Sequence, residues 1–125
     1  TYQQAGFHEV LDLGAWWEAD SGLPIPLGGI LARRDLGETT IRMADDAIRS
    51  SLEYARLHPQ EPRNYIKENA QELENEVIDA HINLYVNDFS LNLGDEGIMA
   101  VETLLRRAES RGLIPKSDKP LFLSG

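Results

Sequence analysis

The sequence predicts a mostly helical piece of an α/β protein, and three observations carry that reading. After Gly37, four segments repeat apolar residues at intervals of three and four, the pattern of helices with one buried face. Before it, residues 7–11 (FHEVL) and residues 30–32 (ILA) have the short, apolar character of strands. Two such strands cannot make a sheet alone, because apolar strands are normally buried on both faces with neighbours on either side. The missing neighbours then come from further polypeptide of the same protein, or from a second copy that exchanges elements. A self-contained helical domain with a two-stranded ribbon is the simpler alternative.

In residues 7–11 the apolar positions are Phe7, Val10 and Leu11, an imperfect alternation. Residues 13–20 follow as a short helix, for which Asp12 offers a side-chain acceptor at the start and Ser21-Gly22 a stop. Trp16 and Trp17 point about 100° apart on that helix, so at most one is central core. The other packs between domains or edges a pocket for a flat ligand. Next comes GLPIPLGGILARRDLG, residues 22–37. Pro24 and Pro26 lack a backbone donor and fix φ, so ladder pairing is partial or at an edge until Leu27 and strengthens only afterwards. Gly28 and Gly29 carry no Cβ, so a ligand or another backbone can approach the main chain closely. Arg33, Arg34 and Asp35 return the chain to water.

A long helix is expected to start at Thr39 or Thr40, either of which can cap it, and to run to about Leu57. Ile41, Ala44, Ile48, Leu52 and Ala55 form its apolar stripe, and His58-Pro59 ends it. Residues 62–70 form a shorter helix with Pro62 in its first turn and Tyr65 and Ile66 as anchors. Residues 74–87 form a third, with Val77, Ile78, Ile82 and Tyr85 on one face. Residues 89–94 turn the chain, and residues 95–111 form a fourth helix that buries Ile98, Val101, Leu105 and Ala108, with Gly112 just past its end. The tail LIPKSDKPLFLSG is irregular, with residues 121–123 as a candidate docking strand.

The 125 residues amount to about one domain, and 42% hydrophobic content permits a core. No window of about 18 apolar residues occurs, and the opening TYQQAGFHEV lacks the regions of a signal peptide. With no cysteine there is no disulfide framework and no thiolate metal site, which fits a cytoplasmic protein. A formal charge of −9 repels nucleic acids and anionic membranes, so neither is an expected partner.

Among chemical motifs, HEVLD at residues 8–12 resembles the start of a zinc-protease H-E-x-x-H. Its fifth residue is Asp12, and a strand followed by a cap lacks the helical spacing a zinc ion needs, so His8 is read as an exposed strand histidine. His58 suits a helix C-terminus, where positive charge favours the macrodipole. His81 lies mid-helix and is read as packing. Acidic pairs and clusters (Asp45-Asp46, Glu72/Glu74/Glu76, Asp95-Glu96) fall on solvated faces and first turns. Gly28-Gly29 lacks the continuation and the following helix of a phosphate loop. The segment with site character is therefore the proline-glycine connector, and the candidate substrate-binding residues are Pro26, Leu27, Gly28 and Gly29. No residue is assigned a catalytic or metal-binding role.

The stretch VLDLGAWWEADSGLPIPLGGILARRDLG, together with YVNDFSLNLGDEG at residues 85–97, resembles the C-terminal part of the 1,4-dihydroxy-6-naphthoate synthase family, over essentially all 125 residues. The resemblance implies a two-lobed α/β fold similar to type II periplasmic binding proteins, of which this chain is a mostly helical C-terminal fragment. Residues 1–24 would finish the second lobe. Residues 25–125 would supply the hinge crossover, a strand and the C-terminal helices of the first lobe. It further implies a cytoplasmic lyase of the futalosine route to menaquinone that converts cyclic dehypoxanthine futalosine to 1,4-dihydroxy-6-naphthoate. Carbon–carbon and ring cleavage would begin with proton abstraction and use no metal or redox cofactor. Such proteins are about twice as long, so the expected partners are the small-molecule substrate and either the missing N-terminal half or a second copy. The family's catalytic histidine belongs to an H-E-S-R-F-like motif upstream of Thr1, and His8 does not match it. The chain alone is then inactive. A non-catalytic, solute-binding-like module using the same cleft is the alternative.

Overall fold

The computed structural model describes residues 5–70 and 74–123, and every regular element among them is helical. The helices are α1 (Leu13–Ser21), α2 (Glu38–Leu57), α3 (Arg63–Asn69), α4 (Asn75–Tyr85), α5 (Asp88–Leu91) and α6 (Gly94–Ser110), with a 3-10 turn at Arg34–Leu36. They fall into two compact units, one of Thr1–Pro26 and Asp95–Asp118, the other of Leu27–Gly94 and Lys119–Gly125.

In the first unit, α1 begins as its sequence requires: Asp12 Oδ1 accepts from Gly14 N at 2.8 Å and Ala15 N at 3.0 Å, satisfying two orphan amides of the first turn. It ends at Gly22, whose φ of 69° only glycine adopts cheaply and whose N–H donates to Glu18 O at 2.8 Å. Of the two tryptophans one is core: Trp17 is 5% exposed and Trp16 50%. Helix α6 carries Asp95 and Glu96 in its first turn, where they complement the dipole. Gly112 closes it with φ 70°, its N–H reaching Glu109 O while Leu113 N reaches Ala108 O, a Schellman pair. The expected face of Ile98, Val101, Leu105 and Ala108 is half-buried; full burial falls on the small residues Gly97 and Ala100.

In the second unit, α2 starts at Glu38, ahead of both threonines. Gly37 at φ 78° makes the turn and no side chain caps the helix, so Thr39 and Thr40 lie inside the first turn. Glu38 instead pairs forward with Arg42 at 2.6 Å, in the favourable order for an i, i+4 pair. Ile41, Ile48, Leu52 and Ala55 are half-buried and Ala44 is exposed. Helix α2 packs on α5, where Arg49 Nη1 donates to Leu91 O at 2.8 Å and Arg56 meets Asp88 at 3.0 Å. The expected turn after Asn87 is a one-turn helix because Asn87 and Ser90 form a reciprocal capping box. Pro62 sits at the N-cap of α3, one residue outside the expected first turn. Arg63 of α3 pairs with Asp79 of α4, beside Ile78, which is buried, while Val77 and Tyr85 of the expected α4 face are exposed and Ile82 is half-buried.

The α/β expectation is overturned. No strand occurs among the described residues, and the two-lobed periplasmic-binding-protein-like fold is not what they form. Residues 7–11 and 30–32 are irregular and open to water, with Val10 97%, Ile30 79% and Leu31 94% exposed. A strand exists only when a neighbour supplies its ladder, and no described segment does so. The tail, too, is not a strand: it is held by the Arg34 guanidinium donating to Pro120 O, with Phe122 half-buried. The mostly helical character stands.

Candidate functional site

The connector is built from α1 outward. Ser21 Oγ donates to Trp17 O at 2.7 Å and accepts from Leu23 N at 3.2 Å, turning the chain back along the helix. Trp17 Nε1 then donates to Pro24 O at 3.1 Å, giving the buried indole the acceptor it needs. Ile25 lies beside the first turn of α1, where a Cβ added at Gly14 would stand 3.8 Å from Ile25 Cγ2, an ordinary contact. Pro24, Ile25 and Pro26 are half-buried in consequence.

Beyond Pro26 the character changes. Leu27, Gly28 and Gly29 are exposed, and residues 27–32 make no hydrogen bond with other described residues. A Cβ added at Gly28 or Gly29 meets nothing within 4 Å, and neither has a positive φ. Backbone conformation therefore does not demand glycine at either position. What the pair provides is an uncovered main chain whose amides and carbonyls a ligand can reach. Farther along, Arg33 pairs with Asp35 and Arg34 reaches Pro120 O.

The other sequence candidates lie elsewhere. His8 is exposed. His58 is the C-cap of α2, with its ring stacked 4.2 Å from that of Tyr54 and its Nδ1 3.1 Å from Tyr54 O, as a helix C-terminus favours. His81 is exposed rather than packed, its ring 4.5 Å from that of Tyr85. Of the acidic groups, Asp45 pairs with Arg49 at 3.2 Å, and Glu72 lies outside the described residues. Among the described residues no three His, Cys, Asp or Glu side chains gather as a metal site would require, and no helix is long and apolar enough to cross a membrane.

Two groupings escaped the sequence. Arg107 of α6 pairs with Asp20 and lays its guanidinium 5.1 Å from the Trp17 ring centroid. It also lines, with Thr103, Arg106 and Ser110, an open depression of about 320 Å³ that none of the predicted site residues borders. In the second unit Tyr54 donates to Glu61 Oε2 at 2.8 Å, and that bond, with a smaller contribution from burial, raises the phenol above its ordinary 10.0. A buried indole signals the need for an acceptor, but nothing in the sequence names a guanidinium 90 positions away.

The protein family described as menaquinone biosynthesis matches residues 1–110, so the chain belongs to that family. It is 55% identical over 123 residues to a Thermus thermophilus protein named 1,4-dihydroxy-6-naphthoate synthase, an alignment covering 98% of this chain and 45% of that protein. A Streptomyces coelicolor protein of the same name is 47% identical over 115 residues, 92% of this chain and 41% of that protein. The chain thus spans less than half the length of these curated relatives.

Proposed function

We propose that the chain is part of a 1,4-dihydroxy-6-naphthoate synthase, a cytoplasmic carbon–carbon lyase of the futalosine route that converts cyclic dehypoxanthine futalosine to 1,4-dihydroxy-6-naphthoate. The observation that carries this is the 55% identity to a protein of that name along nearly the whole chain. Cleavage begun by proton abstraction needs a general base whose pKa lies near the working pH. No residue here is assigned that task, and more than half of each relative lies outside the alignment, which is where the reading puts the base. The part of the work given to this chain is binding. Pro26, Leu27, Gly28 and Gly29 offer peptide groups that no described residue occupies, and Pro24 and Pro26 limit their freedom before the ligand arrives. The exposed Leu27, Ile30, Leu31 and Leu36 support a surface that the remaining polypeptide, or a second copy, covers.

Product formation from cyclic dehypoxanthine futalosine tests the reading. A chain of the relatives' length turns over, the 125 residues alone do not, and Gly28→Val in the long form lowers kcat/KM by about a hundredfold, the order a misplaced substrate costs. Turnover by the 125 residues alone refutes the placement of the base.

A further inference from the structure

Helix α2 is bare on the side that its sequence leaves uncharged. At about 100° per residue, every charged side chain of α2 from Glu38 to Arg56 falls within roughly 100° of the helix circumference. Beside that arc runs the half-buried stripe of Ile41, Ile48, Leu52 and Ala55, and from the arc Arg49 reaches Leu91 O and Arg56 reaches Asp88 of α5. The remaining face holds Met43, Ala44, Ala47, Ser51, Tyr54 and Leu57. All six are exposed, Met43 by 68% and Leu57 by 78%. A helix with a single covered stripe carries its charges opposite that stripe. In α2 the positions opposite the stripe include Met43 and Leu57, and the charges are confined to its edge. A helix uncharged around roughly two-thirds of its circumference is patterned for neighbours on two sides, and within the second unit it meets one, α5.

We propose that this face of α2 is an intramolecular docking surface, covered in a chain of the relatives' length by the polypeptide outside the alignment. More than half of each relative is polypeptide of that kind. Being covalently joined to the part that contains α2, it meets the face at an effective concentration of about millimolar, above that of a free second copy. Ile30 and Leu31, which precede α2 in the same unit and are 79% and 94% exposed, call for cover in the same way. The proposal rests on the reading of this chain as part of a longer synthase. It adds where the rest of that synthase lands: on the uncharged face of α2 and not on its charged arc.

The 125 residues contain no cysteine, so a thiol placed by substitution reports its own position. The test uses the full-length enzyme, labelled with N-ethylmaleimide and read by peptide mass. Ala47→Cys on the uncharged face is expected to react about a hundredfold more slowly than Glu53→Cys on the charged arc, because a covered thiol is inert. Ser51→Cys, nearly isosteric and on the same face as Ala47, is expected to match Ala47→Cys. Equal rates at positions 47 and 53, whether both fast or both slow, overturn the proposal. Protection at position 47 that disappears when the enzyme is diluted a thousandfold assigns the cover to a second copy and overturns it too. Product formation by the unaltered enzyme is measured alongside. Its absence refutes the synthase reading, and the labelling ratio still decides whether the face is covered.

Discussion

One signature stretch is held in two opposite ways. Residues 12–26 are tied at almost every turn: Asp12 caps α1, Ser21 closes it, Trp17 holds Pro24 and Ile25 rests near Gly14. Residues 27–32 make no hydrogen bond with other described residues, and Ile30 and Leu31 face water. The uncovered half is the more apolar of the two, four residues of six with no charge against seven of fifteen with three acidic side chains, so hydrophobicity alone does not decide which half is held. The difference is whether partners lie within a few positions in the sequence. Where they do, the chain folds on itself; where they do not, the apolar side chains stay uncovered.

The largest expected effect sets a variant in each half against the other. Trp17→Ala removes a buried indole and its hydrogen bond, at a cost of about 3–5 kcal/mol, enough to melt α1 in the 125-residue chain. Leu31→Asp in the same chain changes stability by less than about 0.5 kcal/mol, because the side chain is already in water. In a chain of the relatives' length the second variant turns costly, since a charge then enters covered surface. Urea unfolding followed by circular dichroism reads both. A Leu31→Asp effect that stays negligible at full length breaks the comparison, for it means that nothing covers that residue.

A smaller effect sharpens the tied half. Asp12→Ala is expected to cost about 1 kcal/mol by orphaning Gly14 N and Ala15 N, whereas Asp12→Asn, which keeps an acceptor in place, costs a few tenths. Equal losses in the two variants would move the stabilisation from the cap bond to the charge.

Residues whose partners are local were readable in the sequence. Asp12, Gly22 and Gly112 do what their chemistry announces, the helices lie within a few residues of where periodicity puts them, and one tryptophan of two is buried. The start of α2 was misplaced because two threonines outcompete a glycine as a capping signal, although Gly37 with a positive φ makes the turn. The strands were misread for a different reason. Short apolar runs such as residues 30–32 are compatible with a sheet, but pairing is a property of a neighbour, and none is present among the described residues. The proline-glycine pattern made residues 26–29 the candidate site, while the Asp20, Arg107 and Trp17 cluster joins helices far apart in sequence and left no local trace.

The smallest expected effect asks whether a tie counts when it is exposed. Tyr54 donates to Glu61 across the turn that follows α2, and the carboxylate, with a lesser part from burial, holds the phenol above 10.0. A raised pKa means that the folded chain keeps this proton longer than the unfolded one. The stabilisation is therefore complete below about pH 10 and is lost as pH climbs through the folded value. Absorbance at 295 nm, taken as the difference between the unaltered chain and Tyr54→Phe, should show ionisation above pH 10, and Glu61→Gln should bring its midpoint back down toward 10. Stability of the unaltered chain relative to Tyr54→Phe should fall only above pH 10. Identical titrations with and without the carboxylate would mean that water displaces this contact, and that a tie orders the chain only where, as at Trp17, it is sheltered from solvent.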